Sequence, residues 1–291
     1  MAASSIANQL SGIKAWHDSV NAPWNDSPRL YKLIQGAKNL APPGSSTPER
    51  KPVTVYMLEV LDWTLDHSND EDCAILAVAL IAFWCQCRLG ELLGSSSRHF
   101  DPRVLPSRSA VGPQISTEGS RPLHLPRTKT HQVKGESVVI TTQSCRVDPI
   151  RAINRHLSHS QHLPPTCHLF AYRHPNTSGF KILTAERFLS RCNKIWSAHG
   201  FSRITGHCFR IGGTTGFLKA GVPPEVVKSM GRWGSDAFYK YWRDPLDIAV
   251  RHAEQVHIPA PFISRTVATA TGRHRWPEIP PPPVRGASHT L

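Results

Sequence analysis

A chain of 291 residues with 40% hydrophobic content is long enough to bury a real core, in one large domain or two smaller ones. Thirty-four Lys and Arg against 21 Asp and Glu give a formal net charge of +13, which favours a polyanionic partner. Seven Cys without a C-x-x-C pair argue against a disulfide scaffold and a zinc finger, and read as reduced thiols in an intracellular compartment. The longest apolar run, Cys73 to Cys87, is broken at Gln86 and falls short of the roughly 20 residues a membrane span needs, so it reads as a buried helix with no membrane partner.

In chain order, Ile6, Leu10, Ile13 and Trp16 recur at spacings of four and three, the mark of one helix face, and a second short helix is expected over 28–40. Residues 1–40 therefore read as a short helical N-terminal segment, which on the residues alone is two helices that pack on the main domain. The stretch 41–52, APPGSSTPERKP, carries four Pro, a Gly and several Ser and Thr, and reads as a linker. The main domain is expected over 53–262. It opens with helices over 54–65 and 71–84, the second almost wholly apolar and hence central, and its end delivers Arg88-Leu89-Gly90-Glu91-Leu92.

From Ser95 to Gln143 the helical period disappears and Pro, Gly and Ser punctuate short alternating runs. The best strands are Leu123–Leu125 and Ser137–Thr141, with Arg127-Thr128-Lys129-Thr130 and the turn-prone Lys134-Gly135-Glu136 between them. Helices over 148–159 and 184–199 flank a connector rich in Pro and His. His156, His159, His162, Cys167, His168 and His174 invite a metal, but their spacings match no ordered zinc set, so no metal site is expected.

The densest chemistry lies in GHCFRIGGTTGFLKAGVPPEVVKSMGRWGSDAFYKYWRD, residues 206–244. His207 and Arg210 stand three apart at the start of a predicted helix and can reach one anion from one face. After the break at Gly221-Val222-Pro223-Pro224, a short amphipathic segment ends in Gly231-Arg232-Trp233, and Tyr241 lies eight residues beyond Trp233. Pro245 to Val256 is a further helix, with Leu246, Ala249, Val250 and Ala253 on one face that could cover its own core. The Pro-rich tail, 263–291, lacks apolar periodicity and reads as disordered.

The order H-x-x-R, Trp, Tyr resembles the C-terminal signature of the tyrosine recombinases of phage-integrase type. The wording RIGGTTGFLKAGV and GRWGSDAFYKYWR is most similar to the eukaryotic branch found in Crypton and DIRS-like mobile elements. CRLGELL resembles the family's first box, R-x-x-E-L, and LPRTKT its β-hairpin lysine. The resemblance covers about residues 50 to 260. It implies an α+β, mainly helical catalytic domain with a small antiparallel β-sheet, preceded by a short helical N-terminal remnant of a core-binding domain.

It also implies roles. Arg88 and Arg210 would hold the scissile phosphate, with His207 and Trp233 donating beside them. Glu91 would orient an arginine or the helix end, Lys129 would protonate the leaving 5′ oxygen, and Tyr241 would be the nucleophile. The bland alternatives are a surface Arg88–Glu91 pair, a solvated Lys129 with Lys134 as its rival, and Tyr239 as the reactive phenol. Arg127, Lys134 and Arg232 are expected DNA contacts. The implied function is site-specific recombination through a 3′-phosphotyrosyl bond on double-stranded DNA, with no cofactor, as a homo-oligomer (a tetramer on DNA) inside the cell, in the nucleus. A domesticated, non-cutting DNA-binding protein derived from a mobile element is the alternative. A type IB topoisomerase shares the chemistry but not the H-x-x-R context.

Overall fold

The computed structural model describes residues 3–42, 44–45, 50–174, 179–234, 238–239 and 245–254. The chain divides into two compact units, Met1–Arg243 and Asp244–Leu291. The first is α+β and mainly helical.

It begins with helices α1 (Ala3–Ser19) and α2 (Pro28–Asn39), which pack on one another. Ser27 caps α2 by accepting the Leu30 N–H, and Pro28 fills the first helical position, where a missing N–H costs nothing. The pair is thinly packed: α2 buries none of its residues, and Trp16, Tyr31 and Leu33 are all more than half exposed.

The core is organised around α4 (Asp70–Trp84), which follows α3 (Val55–Thr64). Asn69 caps α4 through the Asp72 N–H, and Asp70, Glu71 and Asp72 place negative charge on its first turn, where the helix dipole favours it. Its apolar residues run all the way round, so it must be buried on every side. Ile75, Leu76, Leu80, Ile81 and Phe83 are each at most 2% exposed, and each contributes roughly 1.5–3 kcal/mol of burial. Helices α6 (Pro149–His159) and α8 (His207–Lys219) pack against α4, while α3 packs against α7 (Ala185–Ala198), whose Trp196 indole donates to the Met57 carbonyl at 2.8 Å. Arg191 of α7 pairs with the Asp72 carboxylate at 2.8 Å, tying α7 to the start of α4.

After α4 the chain breaks sharply. Gln86 has φ of +49°, uncommon for a residue with a side chain, and the turn leads into the single-turn α5 (Leu89–Leu92). Strands β1 (Arg121–Leu125) and β2 (Glu136–Ile140) form an antiparallel hairpin in which Leu123 faces Val138, both buried. Gly135 turns this hairpin at φ +62°; a Cβ there would lie 2.1 Å from the Leu125 carbonyl oxygen, so only glycine fits. A second hairpin, β3 (Ala171–Arg173) with β4 (Phe180–Ile182), lies inside the connector that the sequence presents as Pro- and His-rich coil. At three residues each, these strands are too short to show an alternation.

Helix α9 (Pro224–Met230) follows α8 across the turn at Gly221. In the second unit α10 (Pro245–Glu254) exposes Leu246 and Val250. No described helix is long and apolar enough to cross a membrane. The tail at 263–291 lies outside the described residues.

Candidate active site

Arg88 is the N-cap of α5, so the turn that ends α4 aims its side chain. Its backbone N–H donates to Glu91 Oε2 at 2.9 Å and its guanidinium to Oε1 at 2.8 Å. Glu91 is 4% exposed. Burial pushes its carboxyl upward, but Arg232 and the Arg88 donors outweigh that, holding it below the usual carboxylate range and charged. The Arg88 guanidinium therefore stands fixed at the edge of a cleft of about 330 Å³ lined by Arg88, Gly90, Glu91, Val104, Arg127, Thr128, Lys129 and Gln132.

Lys129 enters that cleft from the β1–β2 loop. The loop is tightened by Thr128: its N–H donates to the His131 carbonyl and its Oγ1 accepts the His131 N–H, both at 3.0 Å, while its hydroxyl donates to Glu136 at 2.7 Å. Arg127 shares the cleft and donates to Gln132. Lys134 is exposed at the hairpin turn and is not among the cleft residues.

Helix α8 brings the H-x-x-R pair. Gly212 and Gly213 let it approach closely, since a Cβ would lie 2.2 Å from the Val53 oxygen at Gly212 and 2.0 Å from the Phe83 oxygen at Gly213. This contact presses α8 onto the end of α4 and onto the segment leading into α3, where the Val53 N–H also donates to the Cys208 carbonyl at 3.0 Å. His207, at the helix start, feels burial first and then the positive fields of Arg50, Arg210, Arg88 and Lys129, which together push its pKa down to about 4. It is neutral at pH 7 and can exchange a proton or a hydrogen bond with an acid that approaches.

Arg210 is fully buried. Its Nη1 donates to the Gln86 carbonyl and its Nη2 to the Gly231 carbonyl, and its guanidinium lies 3.8 Å from the centroid of the Trp233 ring. Burial, then Arg88 and Arg232, lower its pKa to about 9. Arg210 thus sits behind the cleft and joins the end of α4 to the Gly231–Trp233 turn, with Nε the one guanidinium nitrogen left without a partner.

Arg232, expected to contact DNA, faces inward. Its side chain is 8% exposed and pairs with Glu91 at 2.9 Å, because a backbone φ of +58° turns it back toward α5. Tyr241 lies outside the described residues. Its rival Tyr239 is 57% exposed, with Lys228 Nζ 6.0 Å from its ring. Among the connector histidines, His156 and His168 are buried, and no described group of three or more His, Cys, Asp or Glu could hold a metal.

Three contributors carry no sequence signal. Gln86 is fully buried and receives a hydrogen bond from Thr214 at 2.8 Å besides presenting its carbonyl to Arg210. Glu136 closes the Lys129 loop, and Arg50 adds its charge next to His207. Among the described residues, buried Arg210, half-buried Arg88 and Arg232, and exposed Arg50 and Lys129 share this neighbourhood with the carboxylates of Glu91 and Glu136, an excess of positive charge that suits an anion.

No family model and no curated protein matches the sequence. Solved structures of similar fold include the XerA recombinase, with a TM-score of 0.44 at 13% identity, covering 84% of this chain and 74% of that one. The FLP recombinase in a Holliday-junction complex gives 0.40 at 13% identity over 94% of this chain and 56% of that one. The Tn1549 transposon integrase with transposon right-end DNA gives 0.42 at 14% identity over 84% of this chain and 76% of that one. Each likeness is one of fold alone.

Proposed function

We propose that the chain is a tyrosine recombinase that cleaves and rejoins double-stranded DNA through a 3′-phosphotyrosyl bond. The observation that carries this reading is the convergence of Arg88 and Lys129 on one cleft, with neutral His207 in the field of both. A phosphodiester resists attack because its anionic oxygens repel a nucleophile and its alkoxide leaves poorly. Arg88, whose planar fork is held by Glu91, answers the first difficulty by placing donors where charge builds on the non-bridging oxygens. Lys129 answers the second by giving a proton to the departing 5′ oxygen. Tyr241 attacks phosphorus, the ester keeps the bond energy, and a 5′ hydroxyl from another strand reverses the step, so no metal or nucleotide is consumed. His207 can take the phenol proton, and Arg210 holds the turn that leads toward Tyr241. Strand exchange between two duplexes calls for a homo-oligomer on DNA, a tetramer, acting inside the cell on nuclear DNA.

The test is covalent capture from a pool of nicked duplexes with randomised sequence, in which the cleaved end diffuses away and traps the enzyme. The wild-type chain is expected to yield a denaturant-resistant protein–DNA adduct, and Tyr241→Phe to yield none while binding duplex with nearly unchanged affinity. Absence of adduct from the wild type would leave a DNA-binding protein that does not cut. Loss of adduct in Tyr239→Phe but not in Tyr241→Phe would move the nucleophile.

A further inference from the structure

Arg232 stands at the middle of a chain of charged contacts that links the cleft's two sides. On one side its Nη2 lies 2.9 Å from Glu91 Oε2, and Glu91 in turn accepts from the backbone and the guanidinium of Arg88. On the other side its Nη1 lies 3.8 Å from Glu136 Oε2, the oxygen that accepts the Thr128 hydroxyl at 2.7 Å. The second oxygen of Glu136 lies 2.7 Å from His131 Nδ1, and Thr128 and His131 close the turn that carries Lys129. The Arg232 side chain is 8% exposed, and its left-handed backbone, φ +58°, costs on the order of 1 kcal/mol for a residue with a side chain. A solvent-facing phosphate contact would need neither the burial nor the strain.

We propose that Arg232 is a positioning residue that reaches the leaving-group step through Glu136 and Thr128, holding the Lys129 turn across the cleft from Arg88. This rests on the recombinase reading above. Only a guanidinium has the reach and the planar fork to address two carboxylates on different elements at once; a lysine ammonium is a point charge on the same stem. Glu136 stands between the two: Arg232 Nη1 faces it at 3.8 Å, a charge contact without a hydrogen bond, while Thr128 and His131 tie it to the loop. The Lys129 ammonium is thereby kept in the cleft despite the surrounding positive charge.

Chemistry separates positioning of an acid from general support of the fold. When tyrosine oxygen bonds to phosphorus and the P–O5′ bond breaks, the departing oxygen takes a proton from the Lys129 ammonium. When the bridging atom is sulfur, the P–S bond breaks and a thiolate leaves without one, since thiols ionise far more readily than alcohols. The experiment uses the full chain and a duplex recovered from the capture pool, made with oxygen or with sulfur at the scissile 5′ position. Arg232→Lys and Glu136→Gln are expected to slow adduct formation on the oxygen duplex by roughly 10- to 100-fold, within the range that a general acid supplies, and to cleave the sulfur duplex within about threefold of wild type, as Lys129→Ala should. Equal slowing on both duplexes, or no slowing on either, would overturn the assignment. If the wild type itself yields no adduct, the recombinase reading fails, and amide exchange across residues 127–136 decides the rest. Glu136→Gln should speed it at least about tenfold at an unchanged melting temperature, since local openings lie well below global unfolding. Unchanged exchange would refute the link.

Discussion

The surroundings of Arg88 and those of His156 are both built from buried titratable side chains, yet they are handled in opposite ways. His156 lies 2.9 Å from the Leu169 carbonyl through Nε2, and His168 accepts the Phe170 N–H at 3.0 Å through Nδ1. Burial pushes both pKa values down to about 4, so both rings are neutral, and the cost of a buried charge is avoided. Around Arg88 the charge is kept. Glu91 and Glu136 neutralise part of it, and burial with Arg88 and Arg232 beside it drives Arg210 down to about 9. The fold discharges its buried histidines in one place and tolerates like-charge repulsion in the other, a repulsion that a bound anion would relieve.

The largest way to break the charged side is at its foundation. Gly213→Ala places a methyl where the Phe83 carbonyl oxygen would be 2.0 Å away, and backbone on both sides leaves nothing flexible to yield. The expected cost exceeds about 3 kcal/mol, with a melting temperature lower by roughly 10 °C, read by thermal denaturation. A shift under about 2 °C would mean that α8 can slide on α4 without loss, since a domain of this size loses only roughly 2–4 °C per kcal/mol.

The neutral side breaks with acid. A histidine whose folded pKa lies near 4 against about 6.5 unfolded binds its proton more readily in the unfolded chain, so its contribution is complete above about pH 6.5 and is lost as pH falls toward 4. Each of His156 and His168 accounts for at most about 3 kcal/mol over that window, from about 2.5 units at 1.36 kcal/mol each. His156→Gln keeps a donor for the Leu169 carbonyl and removes the titration. The difference in urea-unfolding stability between about pH 7 and pH 4.5 should shrink by one such share. His207 shifts in the same direction, so part of the slope remains. An unaltered slope would mean that His156 already gains its proton in the folded protein.

Much of this fold is written in spacing. The helix ends at Thr54, Asn69 and Thr184 carry capping side chains in the sequence and cap in the structure. The apolar run before Arg88 is central, as a helix without a polar face must be. The β3–β4 hairpin escaped because three-residue strands leave no period to read. The candidate site is legible where chemistry and spacing coincide: Arg88 and Lys129 line one cleft, and their charges reach His207. It is opaque where a residue works through its backbone or a distant partner. Nothing in the sequence says that Gln86 turns at a positive φ to offer its carbonyl to Arg210, or that the arginine beside Trp233 folds back onto Glu91. Arg232 reads as a DNA contact because basic residues beside a motif usually face outward, and the left-handed backbone that reverses it is a property of the folded turn.

The smallest expected effect sharpens the same comparison by separating exposed charge from buried charge on DNA. Each phosphate neutralised by a lysine or arginine releases about 0.9 of a counterion, so the slope of log affinity against log salt counts phosphate contacts. Lys134 stands exposed at the hairpin turn and Arg127 lies in the mouth of the cleft. Lys134→Ala and Arg127→Ala should each reduce the slope by about one, measured by fluorescence anisotropy on a mixed-sequence duplex between about 50 and 200 mM salt. Arg232→Lys keeps the charge and, with a parent side chain 8% exposed and paired with Glu91, should leave the slope where it was, even while it slows the leaving-group step. Charge held inside by two glutamates releases no counterions when DNA arrives. If Arg232→Lys instead flattened the slope as Lys134→Ala does, Arg232 would have to leave Glu91 when DNA binds, and would count among the charges that meet DNA rather than those that hold the cleft together.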